Sequence, residues 1–153
     1  TNGRFRFGRA VANRLGGELA RMMQRDRVGL ALTPSRRTAP AVVAAFREAL
    51  GPLGGYVWDG DGENPYFGLL GLADAIVVTI DSVSMISEAV ATARPVMLAR
   101  LPGRSRRNCL FVAGLETSGR VRRFTGRLES WPVVPVDDTA EAAWEMRRRL
   151  DIG

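Results

Sequence analysis

The sequence predicts an α/β fold: a Rossmann-like, three-layer sandwich built on a mostly parallel sheet. Three observations predict it. Short continuous apolar runs, of which Ala75 to Ile80 is the strongest, read as strands buried on both faces. Segments with apolar residues at helical spacing separate these runs, as right-handed crossovers between parallel strands require. The alternation proceeds with no repeat, no low-complexity stretch and no linker long enough to divide domains, so residues 1–153 read as one domain.

The elements follow in order. Val11, Leu15, Leu19, Met22 and Met23 predict a helix over 9–25, and Val28 to Leu32 a buried strand after it. Beyond the loop TPSRRT (33–38), Thr38 is expected to cap a helix with Pro40 in its first turn and Val42, Phe46, Ala49 and Leu50 as its stripe. Gly51-Pro52 stops that helix. Tyr56 to Trp58 reads as a short strand, DGDGE as a polar loop, and Asn64-Pro65 as the start of a short helix reaching about 73. Ala75 to Ile80 is the next strand; DSVS (81–84) opens a helix ending near Ala93, and Pro95 to Ala99 is a further strand. An Arg-rich loop, a helix over 108–117, an irregular segment, a proline-interrupted edge strand near 133–136 and a helix over 138–150 complete the chain. The opening TNGRFRFG is a loop feeding a helix with no strand before it, which points to a preceding strand in a longer protein.

Composition narrows the chemistry. The chain has 153 residues, 46% apolar and 25% charged, as a globular domain does. A chain this long buries roughly 70% of its unfolded surface, so neither disulfide nor metal is needed to hold a core. Cys109 alone makes no internal bridge, and with no histidine the usual imidazole and thiolate metal sites and His-dependent acid/base catalysis are excluded. The apolar runs fall far short of the ~20 residues of a membrane span, and no signal-peptide pattern is present, so the expectation is a cytoplasmic protein.

Net charge is +6, and all 22 basic residues are arginine. Such a surface reflects either a codon bias or selection for phosphate, which the guanidinium fork binds bidentately. Clusters carry more information than the total: Arg36-Arg37, Arg104-Arg106-Arg107 and Arg120-Arg122-Arg123 stand out. Arg147 to Arg149 end a predicted helix, where cations suit the macrodipole.

Ligands of open parallel sheets bind at the carboxyl ends of strands. Asp81-Ser82-Val83-Ser84 joins the strongest strand to a helix N-terminus, where free amides and the dipole favour phosphate and Ser82 and Ser84 add hydroxyls. Plain capping by Asp81 or Ser82 is the alternative. Ile86, Ala89, Val90 and Ala93 form the stripe of that helix, with Ser84 and Glu88 roughly opposite. Glu88 is therefore either a solvated carboxylate or an acceptor for two ribose hydroxyls. Ser35, Arg36 and Arg37 in TPSRRT form an anion site or a solvated turn, and Asn64, Tyr66 and Phe67 are candidates for a pocket wall. Asp59, Asp61 and Glu63 lack the spacing of a calcium loop, so no metal is expected. Neither GxGxxG nor a P-loop follows any strand, which argues against a nicotinamide enzyme or an ATPase.

The segments TPSRRT (33–38), WDGDGENPYFGLLGLADAIVVTIDSVSMISEA (58–89) and ARPV (93–96) resemble the plant mitochondrial-fission Elongated Mitochondria family and its bacterial homologues. NGRFRFG (2–8) is similar to the Gly-rich loop of that family; beyond residue 100 the likeness is thin. The sequence departs from the family where Ala93-Arg94 precedes Pro95, since family members carry a glycine there. The family in turn resembles GT-B glycosyltransferases, whose C-terminal Rossmann-like domain holds a nucleotide-sugar. The resemblance implies that this chain is the C-terminal part of a two-domain protein. It implies phosphate contacts from Ser82 and Ser84, a ribose contact from Glu88, and phosphate contacts from Arg36 and Arg37. The acceptor site and any catalytic base are then expected in the other domain, leaving the catalytic residues unassigned and this chain alone inactive.

Three functions remain to be told apart. The first is a nucleotide-sugar donor domain that needs no cofactor or metal and stabilises a diphosphate leaving group. The second is a fission-related interaction module, in contact with a membrane surface, that keeps the fold without the ligand. The third is nucleic-acid binding through arginine clusters, weakened by the lack of an aromatic stacking platform. A sheet edge left open by a missing first strand would also let copies of the chain pair as a homo-oligomer.

Overall fold

A computed structural model of the chain describes residues 5–35 and 38–133. Arg36, Arg37, the helix expected over 138–150 with Arg147 to Arg149, and all but the first residue of the edge strand expected at 133–136 lie outside the described residues. The α/β class with parallel strands is as expected, and the strands divide between two sheets. The chain forms two compact units. The first takes in the described residues up to Leu72 together with Thr125–Leu128; the second takes in Ala73–Phe124 and residues 129–133.

In the first unit, helix α1 (Arg9–Asp26) buries Ala12, Leu15, Leu19, Met22 and Met23, close to the predicted stripe, against helix α2 (Pro40–Leu50), which buries Val42, Ala45, Phe46 and Leu50. Gly16 lets the helices approach: a Cβ there would lie 3.0 Å from that of Ala49. Phe7 stands edge-on to Phe46, with centroids 6.0 Å apart. α1 ends on Arg27 in the left-handed region (φ 53), and the Val28 amide turns back to the Met23 carbonyl at 3.3 Å. That turn consumes the first residue of the strand expected at Val28, and the paired strand β1 is only Ala31–Leu32. It runs parallel to β2 (Tyr56–Val57). α2 does not take its cap from Thr38, as expected; its N-cap is Ala39, without a side-chain bond. Instead the Thr38 hydroxyl accepts the Ser35 amide at 3.0 Å. After α2 a single 3-10 turn (Gly51–Leu53) leads to Gly54 (φ 82) and Gly55, where a Cβ would meet the Leu50 carbonyl oxygen at 2.9 Å. The Asn64 side chain opens α3 (Tyr66–Leu72) by accepting the Tyr66 amide at 3.0 Å. Residues 125–128 return to the end of α1, where the Leu128 amide donates to Asp26 and Arg25 to the Gly126 carbonyl.

The second unit is built on a parallel sheet of order β3 (Ile76–Thr79), β4 (Val96–Ala99), β5 (Val121–Arg123). β4 is central and buried at all four positions. Helices α4 (Val83–Val90) and α5 (Arg106–Thr117) supply Ile86, Ala89, Val90 and Phe111 to a core with Val78, Val96, Leu98 and Val121. α4 stops at Val90, short of the expected Ala93, because the Thr92 amide and hydroxyl both turn back to the Ala89 carbonyl, at 3.0 and 2.7 Å. β5 falls in the segment expected to be irregular. Two of its three residues are exposed arginines on an edge strand, which hides the apolar signal of Val121. Among the described residues no helix is long and apolar enough to cross a membrane.

Candidate functional site

The second unit brings together the residues of the β3–α4 turn. β3 delivers Thr79 and Ile80 to the carboxyl edge, and Asp81, buried, follows with its carboxylate accepting the Thr79 hydroxyl at 2.6 Å. Ser82 is the N-cap of α4: its hydroxyl oxygen accepts the Met85 amide at 3.3 Å and lies 3.4 Å from the Ser84 hydroxyl. Ser82 serves its helix as an acceptor, and either hydroxyl of the pair can donate to the other. The free amides of the first turn face the same way. No acidic residue sits in that turn.

Glu88 lies one helical turn beyond Ser84. The sequence places it away from the core stripe, and its residue surface is partly exposed. Yet its Oε2 is buried and has no hydrogen-bond partner among the described residues. A carboxylate oxygen withdrawn from water without a donor is unfavourable.

The neighbouring turn into α5 is tied to this edge. The Ser105 oxygen caps α5 by accepting the Asn108 amide at 3.3 Å, and the Asn108 side chain donates to the Ile80 carbonyl at 2.9 Å. Asn108 is buried and joins the end of β3 to the start of α5. Sequence reasoning passed over it by starting the helix at 108; Ser105 followed by Asn at the third position was the available signal.

The cluster Arg120-Arg122-Arg123 has separate fates. The Arg120 guanidinium is buried and donates to the carbonyls of Val90 at 3.0 Å, Thr92 at 2.6 Å and Arg94 at 3.1 Å. It closes the C-terminal end of α4, where a cation also suits the dipole. Desolvation holds its pKa below the ordinary guanidinium value. Arg122 stacks over Trp131, 4.4 Å from the ring centroid, and reaches Glu129 at 3.4 Å.

The other expected residues lie in the first unit. Ser35 is part of a tight turn with Thr38, the two hydroxyls being 3.1 Å apart. Tyr66 and Phe67 make an edge contact with centroids 5.0 Å apart, and Phe67 is 72% exposed. The carboxylate loop closes on itself: Asp59 accepts the Asp61 amide at 2.9 Å and the Trp58 ring nitrogen donates to the Asp61 carbonyl at 3.0 Å.

A parallel sheet with two helix N-termini at its carboxyl edge defines a Rossmann-like α/β protein of the kind that receives ligands there. The chain belongs to the family described as Mitochondrial fission ELM1, which it matches over residues 1–150. It is 46% identical over 98 residues to the Mitochondrial fission protein ELM1 of Arabidopsis thaliana, a match covering 62% of this chain and 23% of that protein. The matched part of the chain thus spans less than a quarter of the length of that relative. No solved structure matches it.

Proposed function

We propose that this chain forms the donor half of a nucleotide-sugar site in a GT-B-like protein. The observation that carries the reading is the buried, unpartnered Oε2 of Glu88, one turn from the Ser82 and Ser84 hydroxyls. Vicinal ribose hydroxyls donate to the Glu88 carboxylate, and the diphosphate sits on the amides and hydroxyls of the α4 N-terminus. Charge developing on the leaving diphosphate is met by groups already in place, so no metal is required. Asp81 cannot bind phosphate oxygens while ionised; held by Thr79, it fixes the turn. The site belongs to the second unit, and the acceptor and catalytic base are assigned to no residue of this chain. A soluble nucleotide-sugar fits a cytoplasmic location.

Calorimetric titration with UDP, GDP, ADP and CMP tests the reading. One nucleotide is expected to bind saturably, with affinity falling at least about tenfold, or ~1.4 kcal/mol, in Glu88→Ala. A folded chain that binds none of them, or a variant that binds equally well, would overturn it. That result would favour an interaction module for organelle division, the process named for its Arabidopsis relative. The exposure of Phe67 at 72% and Leu72 at 81% on α3 supports this second reading.

A further inference from the structure

The charges of the chain are segregated along its sequence. It holds 22 arginines, yet residues 49–93 contain none; the charges there are Asp59, Asp61, Glu63, Asp74, Asp81 and Glu88. Within that stretch lies α3, whose seven residues are all apolar or glycine and none of which is buried. Its Phe67 and Leu72 are the two most exposed large apolar side chains among the described residues. An added Cβ at Gly68 or Gly71 would meet nothing within 4 Å, so open notches lie between the large side chains. A helix this short, with two glycines and no buried residue, has little stability of its own and gains by being covered.

The loop leading into α3 restricts what can cover it. Asp59, Asp61 and Glu63 are exposed and make no ion pair among the described residues. Two α3 helices brought together would juxtapose these carboxylates, and an anionic membrane or a nucleic acid would be repelled by them. A basic surface with exposed apolar residues of its own is the complement. The second unit carries one. A helix lying on a sheet ordinarily shows water a polar face, but α5 exposes Cys109, Leu110 and Ala113 one turn beyond the exposed Arg106. Arg104 precedes the helix, and Glu116, its one acidic residue, stands near the far end. Neither Arg104 nor Arg106 has an ion pair among the described residues.

We infer that α3 of one copy of this chain docks on α5 of a second copy, with Leu110 seated between Phe67 and Leu72 over the glycine notches and Arg104 and Arg106 meeting the carboxylates of the 59–63 loop. The two faces differ, so the association is head-to-tail and each copy keeps one face for a further copy. Two short helices bury less than ~1,200 Å², the range of transient complexes. The contact needs neither Glu88 nor a nucleotide, and it goes beyond the donor-site reading.

Sedimentation velocity of the full 153-residue chain, from about 5 to 200 µM, tests it. The average mass should rise with concentration, and the association should weaken at least about tenfold when salt is raised from about 50 to 500 mM. Phe67→Ser/Leu72→Ser removes the α3 face and Arg104→Glu/Arg106→Glu the basic end of the α5 face; all four positions are exposed, and circular dichroism checks that both variants are folded. Each variant alone should be monomeric. Their equimolar mixture should form a dimer and nothing larger, since one intact α3 face then meets one intact α5 face and growth stops. A chain that stays monomeric throughout, association that survives in either variant, or a mixture no more associated than its parts overturns the inference. Association lost in the α3 variant alone would assign α3 to its own copy; a monomer that binds phosphatidylcholine vesicles through Phe67 and Leu72 would assign it to lipid. Nucleotide titration reads the donor site separately, so either proposal can fail while the other stands.

Discussion

Replacing Glu88 by methionine removes a buried carboxylate oxygen that has no hydrogen-bond donor among the described residues. Glu88→Met is accordingly expected to raise stability by about 1 kcal/mol, because an apolar group of similar shape avoids the unsatisfied acceptor. Urea unfolding checks this, and a destabilised variant would mean that the oxygen is satisfied in solution. Arg120 is the opposite case. Arg120→Met leaves the carbonyls of Val90, Thr92 and Arg94 without their donor. The expected loss is about 2–4 kcal/mol, with Arg120→Lys recovering only part because one ammonium cannot span the three carbonyls. Burial lowers the Arg120 pKa, so the unfolded chain binds that proton more tightly. Stability linked to this group rises only as pH climbs through its folded-state value, in the strongly alkaline range. Melting temperatures of wild type and Arg120→Met should therefore differ by a constant amount from pH 5 to 9.

Among the elements, those whose signals lie within a few residues were legible. α1 and α2 follow their apolar stripes, and α4 takes the Ser82 cap that its turn sequence announces. β3 and β4 were equally plain, as continuous apolar runs. The boundaries shifted where a neighbour competed for the backbone: Val28 went to the end of α1, and Thr38 to Ser35 rather than to α2. The stop after α2 rests on Gly55, whose amide donates to the Leu50 carbonyl at 2.9 Å and where an added Cβ would lie 2.9 Å from that same oxygen. Gly55→Ala is expected to destabilise by about 1–3 kcal/mol through that clash, measured by thermal unfolding. An effect below that range would show that the turn yields.

For the molecule as a whole, a net charge of +6 attracts any polyanion. Association with random-sequence RNA or DNA should therefore be weak and fall steeply between about 50 and 200 mM salt. Fluorescence anisotropy against salt checks it. Tight binding that survives the higher salt would restore the nucleic-acid reading, since the charge alone could not produce it. Nucleotide binding held by oriented groups should persist under the same conditions, because a built site loses less to screening than a diffuse field.

By itself the sequence determined the α/β class, the helices and strands of strong periodicity, the Ser82 cap and the family, because each is written in residues close together or in a long run of matched positions. The tertiary structure decided which polar groups are buried. Arg120, one of three clustered arginines in sequence, turns inward to a carbonyl 30 residues away. Asn108 reaches a carbonyl 28 residues away and joins two turns into one edge. Glu88 sits opposite its apolar stripe, yet loses one oxygen to burial. Burial of a polar atom depends on what distant segments place around it. Local spacing holds no information about that, whereas helix and strand periodicity consists of little else.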